Sequence, residues 1–221
     1  MRAVPGYLDF DTSLAASASG NAIAYATHSC TRAYDGSIGV IRLRTGKLRT
    51  WLFTYPSVPM NLSLSADGSL LSFASGPSSG PRVGAGAAAW VLRTRSAPGP
   101  LSLRYRQVIH SEHPAAQHFL DVQSAVLSPT GAVMFAATGP PRGTAIETIG
   151  AYRTTTGGLI RVIHAFSHFQ SGYCAISPDP TCRYLLVYAL TIRNLAWIDL
   201  ATGKVTTVPV SRADNPLGAA W

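Results

Sequence analysis

The sequence has little charge, few cysteines and no long hydrophobic run. Charged residues make up 13% of its 221 residues, whereas 47% are apolar; globular proteins carry about 25% charged residues on average. This composition excludes a disordered chain, because disordered chains are poor in apolar residues and rich in charge. No apolar stretch approaches the roughly 18 residues of a membrane span, and residues 1–7 lack the apolar segment of a signal peptide. We therefore expect a soluble globular chain.

Cysteine is limited to Cys30, Cys174 and Cys182. Three cysteines do not make a disulfide framework, and no CxxC motif is present. Cys174 and Cys182 flank one predicted turn, on strands that should pair antiparallel, which would bring their Cα atoms within disulfide reach. This pair is the disulfide candidate of the sequence. The alternatives are chance placement in a reducing cell and a reactive thiol.

Common catalytic and nucleotide-binding motifs are also absent. The chain has no GxSxG nucleophile elbow, no Walker loop and no Rossmann GxGxxG. The glycine-rich segment Gly84–Ala89 opens a predicted strand rather than a helix, so it does not predict a phosphate site. The sequence therefore predicts no catalytic residue and no cofactor, and it favours a non-enzyme without deciding the question.

Four segments share a short apolar strand, a turn of the form Ser-x-x-Gly and a second apolar strand. They are Leu14–Gly20, Leu62–Gly68, Ala125–Gly131 and Cys174–Pro180, and their turns begin at Ser17, Ser65, Ser128 and Ser177. In such a turn Pro presets φ, Asp or Thr bonds the local backbone, and Gly accepts a positive φ. The fourth copy has Pro180 where the others have glycine, and it carries two extra residues.

Each copy continues into a third strand, a turn and a fourth strand. The strict alternation of Leu101–Arg106 is typical of a half-buried outer strand. The unbroken apolar run Ala132–Ala136 is typical of an inner strand buried on both faces. No stretch shows sustained 3.6-residue periodicity. The sequence therefore predicts an all-β chain.

The repeated serines are 48, 63 and 49 residues apart, and four strands in roughly 40–50 residues is the pattern of one β-propeller blade. With these turns and the segment Trp197–Lys204, the chain resembles WD40-like β-propellers of the bacterial type built on Ser-Pro-Asp-Gly turns. The resemblance covers about residues 8–210 and implies about four four-stranded antiparallel blades. The Gly-His dipeptide of eukaryotic WD40 repeats is absent, and Asp199 has no counterpart in the other copies, so the buried Asp–His network of that family is not carried over.

We expect one WD40-like propeller domain over residues 1–221. Its blades are predicted at about 8–56, 57–112, 113–168 and 169–210. Because WD40-like propellers usually close with six to eight blades, four blades indicate an incomplete ring. Residues 216–221 resemble the spare first strand of a further blade, and we hypothesise that the remaining strands of that blade lie upstream of Met1. The sequence alone suggests a cytoplasmic protein; an upstream segment would make it exported or membrane-anchored.

The net charge of +8 comes almost entirely from sixteen arginines. Several occur as pairs two residues apart, and two residues apart on a strand point to the same side. The pairs are Arg42 with Arg44, Arg93 with Arg95, and Arg104 with Arg106. We interpret them as the solvated face of outer strands. Contact with a polyanion or a membrane surface is the alternative, and nucleic acid is not expected as a partner.

Five of the six histidines fall in two adjacent segments that join blades. They are His110, His113, His118, His164 and His168. The tripeptide Val108–His110 recurs as Val162–His164, which suggests a structural role at a repeated position. The spacings fit no zinc motif. We interpret these histidines as polar loop residues, with a metal or anion site as the alternative because imidazole is a common metal ligand.

A propeller fold by itself does not specify a function, because propellers include both binders and enzymes. The sequence favours a non-catalytic scaffold for protein–protein or ligand recognition, with Trp90 and Trp197 in its core. One alternative is a propeller hydrolase or lyase whose site lies at the channel mouth and uses loop His, Asp and Glu residues. The other is a basic surface that binds polyanions. A protein is the favoured partner, and unpaired edge strands would permit self-association.

Overall fold

The structure, a computed structural model, is built from β-strands. It describes residues 14–28, 35–54, 57–77, 88–100, 105–109, 121–139, 147–166, 173–189 and 194–209. None of these residues is helical, and no helix that could cross a membrane occurs among them. The all-β prediction is confirmed.

The strands form four sheets, each with four antiparallel strands in chain order, and we call these sheets blades 1 to 4. A short strand between the third and fourth strands of blade 2 joins the sheet of blade 1 instead. Blade 1 contains β1 Leu14–Ala16, β2 Ala22–His28, β3 Asp35–Arg42 and β4 Lys47–Thr54. Blade 2 contains β5 Ser57–Leu64, β6 Leu70–Pro77, β7 Ala88–Arg93 and β9 Tyr105–Ile109. Blade 3 contains β10 Asp121–Leu127, β11 Val133–Gly139, β12 Glu147–Arg153 and β13 Leu159–Phe166, and blade 4 contains β14 Tyr173–Pro178, β15 Tyr184–Ala189, β16 Asn194–Asp199 and β17 Val205–Val208.

A turn joins the first two strands of each blade, and the side chain of the first turn residue stabilises it by accepting a backbone hydrogen bond. In blades 1 to 3 the hydroxyl oxygens of Ser17, Ser65 and Ser128 accept the N–H five residues later, at 3.0–3.2 Å. The glycine three residues after the serine has a positive φ, as at Gly68 with φ 67°. Glycine is favoured there because a Cβ strains the left-handed conformation. The predicted Ser-x-x-Gly turns form as expected in these three blades.

The fourth turn begins two residues later than the sequence pattern indicates. Asp179, not Ser177, accepts the N–H five residues on, from Tyr184 to Oδ1 at 2.7 Å. Its backbone N–H donates to the Tyr184 carbonyl, as the serines do in the other turns. Cys182 therefore takes the glycine position, with a φ of 58°. A carboxylate can replace the serine hydroxyl because both supply an oxygen acceptor. The start of the turn at Asp179 instead of Ser177 accounts for the two extra residues of the fourth copy.

Three hydrophobic clusters join each blade to the next one along the chain. The first packs blade 1 on blade 2 around Trp51 and Phe73, the second packs blade 2 on blade 3 around Met134, and the third packs blade 3 on blade 4 around Ile149 and Leu185. Burial of these apolar side chains is the main stabilising contribution to the stack. The inner strands β1, β5, β10 and β14 lie side by side in that order.

Arginines also bridge the blades. The Arg42 guanidinium of blade 1 donates to the Gly68 carbonyl of blade 2 at 2.9 Å and to Thr94 Oγ1 at 2.8 Å. Arg161 of blade 3 donates to the carbonyls of Leu200 and Ala201 in blade 4. These arginines bond to neutral carbonyl and hydroxyl oxygens, so their positive charges are not neutralised by the contact.

The segment after β7 adds a second bridge between blades 1 and 2. The short strand β8, Gly99–Pro100, pairs parallel to β4 of blade 1. The indole of Trp51 donates to the Ala97 carbonyl at 3.0 Å. The described fourth strand of blade 2 is Tyr105–Ile109, which overlaps the predicted strand Leu101–Arg106 at residues 105–106. Residues 99–100 belong to the neighbouring sheet, and residues 101–104 of the prediction lie outside the described part of the chain.

Among the described residues, no blade packs on the outer face of blade 1 or of blade 4. Leu14 of blade 1 is 69% exposed, whereas its equivalents Leu62, Ala125 and Ile176 are 7%, 0% and 4% exposed. At the other end, Trp197 of blade 4 is 38% exposed. Its equivalents in the preceding blades, Val40, Val91 and Ala151, face the next blade and are at most 6% exposed. The expectation that Trp197 is core is therefore wrong, because no described blade follows the fourth.

Candidate functional site

A cavity of about 500 Å³ lies between the inner strands of all four blades, and we call it the axial pocket. The side chains that line it are apolar except for Ser63 and Ser177, backbone polar groups also face it, and it extends to the turns at one end of the inner strands. The lining residues are Leu14, Ala15, Ala16, Ala18, Leu62, Ser63, Leu64, Ala66, Val126, Leu127, Pro129, Ile176, Ser177, Pro178 and Pro180. Concave apolar cavities of 300–1,000 Å³ are typical ligand sites.

The walls of the axial pocket are held by contacts between neighbouring blades. Ser63 Oγ accepts the N–H of Leu127 at 3.1 Å, which ties the inner strand of blade 2 to that of blade 3. At the turns, the Ser19 N–H donates to the Ala66 carbonyl at 3.0 Å, and the Ala66 N–H donates to the Pro129 carbonyl at 2.7 Å. These bonds fix the spacing of the first three blades around the pocket.

A second cavity of about 430 Å³ lies between blades 3 and 4. Arg161, Thr130, Thr181 and Cys182 contribute polar groups to an otherwise mostly apolar lining. Burial raises the pKa of the Cys182 thiol, and the nearby Asp179 carboxylate raises it further. A raised pKa disfavours the thiolate, which is the nucleophilic form. Cys182 at neutral pH is therefore a packing residue of this cavity rather than an activated nucleophile.

The backbone places the two predicted disulfide partners at different levels of one hairpin. Cys182 is a free, half-buried thiol in the fourth turn. Cys174 lies in β14 at an irregular position of the ladder, opposite Tyr188 and Ala189 at the other end of the hairpin. The disulfide stays a prediction for an oxidised form of the protein.

The predicted histidine group falls mainly outside the described residues. This applies to His110, His113, His118 and His168. His164 lies in β13, opposite Ile149, and is partly buried. Among the residues that the structure describes, no three His, Cys, Asp or Glu side chains form a metal-ligand group.

The repeat around these histidines is shifted by one residue from the sequence pattern. Ile109 pairs with Ala89, and His164 pairs with the equivalent Ile149. Ile163 therefore corresponds to Val108, and both occupy an irregular position in the outer strand. The alignment of Val108–His110 with Val162–His164 is wrong by one position, because sequence identity alone did not reveal where the ladder is irregular.

The cationic side chains that the structure describes share one edge of the blades. All of these side chains lie at the turn edge, where the first strand of each blade meets the second and the third strand meets the fourth. These are Arg42, Arg44, Lys47, Arg49, Arg93, Arg95, Arg153, Arg161, Arg183 and Lys204. The interpretation of the Arg pairs as faces of outer strands is wrong for two of the pairs: Arg42 and Arg93 end third strands, and Arg44 and Arg95 lie in the following turns.

Three carboxylates share the turn edge, and each accepts hydrogen bonds from its own turn. Asp67 Oδ1 accepts the Ser69 N–H at 2.9 Å and the Ser65 hydroxyl at 2.7 Å, and these bonds lower its pKa. Asp199 Oδ1 accepts two N–H groups at 2.9 Å, and its pKa is lowered for the same reason. For Asp179, burial acts to raise the pKa, but the bonds from Thr181 and the backbone outweigh it. All three carboxylates are therefore ionised at neutral pH.

No protein-family model and no curated protein sequence matches the chain. Its fold does match solved structures. A nidogen–laminin complex aligns with a TM-score of 0.62 at 11% identity, over 94% of this chain and 67% of that chain. Hydrazine synthase of Kuenenia stuttgartiensis aligns at 0.56 and 15% identity, over 88% and 48%, and the tricorn protease at 0.58 and 13%, over 89% and 22%. This chain thus spans about half of the hydrazine synthase chain.

Likeness at such identities concerns the fold alone. It supports a β-propeller fold for the four blades, and the WD40-like repeat type stays a prediction. The axial pocket was not predicted as a site. The signal that could have located it is the set of residues directly before the four turns, such as Leu62–Leu64, which are the inner strands.

Proposed function

We propose that this chain is a recognition scaffold that binds an apolar segment of a partner protein in the axial pocket. The observation that carries the proposal is the pocket lining, to which all four inner strands contribute aliphatic side chains and proline. General acid–base or metal chemistry requires titratable or ligating side chains, and the described lining offers only Ser63 and Ser177 as polar side chains. The pocket therefore suits binding by burial of apolar surface.

Peptides from a random display library would test this proposal. Peptides selected on the full chain are expected to share an apolar anchor residue. Ala16 and Ala18 are exposed and line the pocket, so Ala16→Trp and Ala18→Trp should fill it without disturbing the blade interfaces. We expect each variant to weaken binding of the selected peptides by more than about tenfold.

Thr45→Trp, at an exposed turn position that does not line the pocket, is the matched control and should leave binding unchanged. Thermal unfolding of all three variants would confirm that they are folded. Peptides that bind both pocket variants as tightly as the unmodified chain would show that recognition occurs elsewhere and would refute the proposal.

A further inference from the structure

The turn edge combines positive charge with exposed aliphatic side chains. The described residues of this edge include ten cationic side chains and three carboxylates. Eight of the cations are exposed: Arg44, Lys47, Arg93, Arg95, Arg153, Arg161, Arg183 and Lys204. Arg183 acts on the Asp199 carboxylate and lies over the Tyr184 ring, whereas the other seven form no ion pair within the described part of the chain. Their charge is therefore available to an external anion.

Large aliphatic side chains alternate with these cations at the tips of two hairpins. In blade 1, Leu43 is 49% exposed and Leu48 is 38% exposed. In blade 3, Leu159 and Ile160 are 54% and 44% exposed and directly precede Arg161. Exposed aliphatic groups on a hairpin tip have an unfavourable contact with water, which burial in an apolar phase would remove.

We propose that the turn edge is a peripheral binding surface for anionic lipid membranes. Lys and Arg side chains near a membrane are attracted to its negative surface potential. Leu and Ile can enter the boundary between headgroups and acyl chains, as they do on interfacial helices. A surface for single-stranded nucleic acid would instead offer aromatic side chains for stacking on bases. The described exposed large apolar side chains at this edge are aliphatic except for Trp197, and both Leu or Ile and Trp suit the apolar face of a membrane-bound surface, which favours the membrane.

Co-sedimentation of the full chain with lipid vesicles tests the proposal. Vesicles of phosphatidylcholine with about 30% phosphatidylserine should bind the chain, and vesicles of phosphatidylcholine alone should not. Binding should weaken strongly when sodium chloride rises from about 0.1 M to 1 M, because the Debye length falls from about 10 to 3 Å. Inorganic phosphate at constant ionic strength should not compete, since a membrane offers a surface potential and an apolar layer rather than one phosphate.

Two pairs of substitutions separate the electrostatic and apolar parts. Arg44→Ala with Lys47→Ala should weaken binding by about 25-fold, at roughly fivefold per cation. Leu43→Ser with Leu48→Ser should weaken binding by about tenfold while leaving its salt dependence unchanged. Leu52→Ser is the control, because Leu52 is exposed on the same strand as Leu48 but lies toward the opposite edge.

Three results would overturn the proposal. The first is equal binding to both kinds of vesicle. The second is loss of vesicle binding in millimolar phosphate, which would indicate a discrete phosphate site. The third is salt-dependent binding to a single-stranded oligonucleotide that exceeds vesicle binding and does not change in the double leucine variant. That third result would identify the turn edge as a nucleic-acid surface.

Discussion

Residues at equivalent positions of the repeat lie between two blades in the middle of the stack and on an outer face at its two ends, so their surroundings differ. A Cβ on Gly68 in blade 2 would lie 2.7 Å from the Ala22 Cβ of blade 1, and a Cβ on Gly131 in blade 3 would lie 2.7 Å from Leu70 of blade 2. Gly20, the equivalent glycine of blade 1, has no atom within 4 Å of such a Cβ. The glycine side of the turn therefore packs on the preceding blade in the middle of the stack and has no neighbouring atom at its start, although the same turn of blade 1 is bonded to blade 2 through Ser19.

The second turn of each blade shows the same difference. A Cβ on Gly203 in blade 4 would lie 2.7 Å from the Ile163 carbonyl oxygen of blade 3, whereas a Cβ on Gly46 in blade 1 would meet nothing within 4 Å. Two independent turns thus agree with the exposure of Leu14 at the same end. Each repeat has a packing surface on both of its sides, and in the first and last blades one of these surfaces has no described neighbour.

The largest expected difference between a middle and an end face concerns tryptophan. Trp51 is fully buried between blades 1 and 2, so Trp51→Ala should lower the free energy of unfolding by about 4 kcal/mol. Trp197 is exposed at the end of blade 4, so Trp197→Ala should lower it by less than about 1 kcal/mol. Chemical denaturation measures both values. A loss of about 3 kcal/mol or more for Trp197→Ala would mean that another part of the protein covers this end face.

The glycine turns give a smaller difference of the same kind. Gly68→Ala adds backbone strain and a clash with Ala22, and we expect a loss of about 2–3 kcal/mol. Gly20→Ala adds the strain alone, because its φ of 68° is similar and the space around it is open; the expected loss is about 1 kcal/mol. Equal losses in denaturation experiments would show that the end turn is also packed against a neighbour.

The carboxylates of the turns predict how stability depends on pH. Asp67 and Asp179 have a lowered pKa in the folded state, while an unfolded Asp titrates near about 3.9. In the pH range just below that value, the unfolded state therefore binds more protons, and the free energy of unfolding falls as the pH falls. Above it, the contribution of both groups is fully present.

Asp179→Asn should make this acid dependence less steep, because the amide keeps one oxygen acceptor for Tyr184 but cannot titrate. Asp199→Asn is the matched control at an exposed turn, where solvent screening weakens the effect. Urea denaturation between about pH 3 and 7 measures the slopes. An unchanged slope in Asp179→Asn would show that this carboxylate does not couple to folding in blade 4.

The sequence was sufficient for the β class, the four blades and three of the four inner turns, because those features are local. Alternation, tight-turn residues and spacing act within about fifty residues. The fourth turn was misplaced because Asp179 replaces serine and Cys182 replaces glycine, so the pattern at Ser177 matched better than the true turn. The axial pocket and the charged turn edge are products of how blades are arranged, and no single segment encodes them.

The smallest change in the free energy of unfolding is expected for a substitution that gives the fourth turn the glycine of the other three. Cys182 holds a φ of 58° that favours glycine, so Cys182→Gly removes backbone strain, but it also removes a partly buried side chain packed against the core of blades 3 and 4. The strain is worth about 1 kcal/mol, and the lost packing offsets roughly half of it. We expect a net gain of about 0.5 kcal/mol in the free energy of unfolding.

The reciprocal substitution Gly20→Cys isolates the strain, because nothing lies within 4 Å of the added Cβ. It should lower the free energy of unfolding by about 1 kcal/mol. This loss is larger than the gain expected for Cys182→Gly, because the gain in blade 4 is reduced by the lost packing of the Cys182 side chain. Denaturation under reducing conditions measures both variants without interference from the thiols. If Cys182→Gly instead lowers stability, then packing against blade 3 outweighs the conformation of the turn, and the fourth blade is held by its neighbour rather than by its own hairpin.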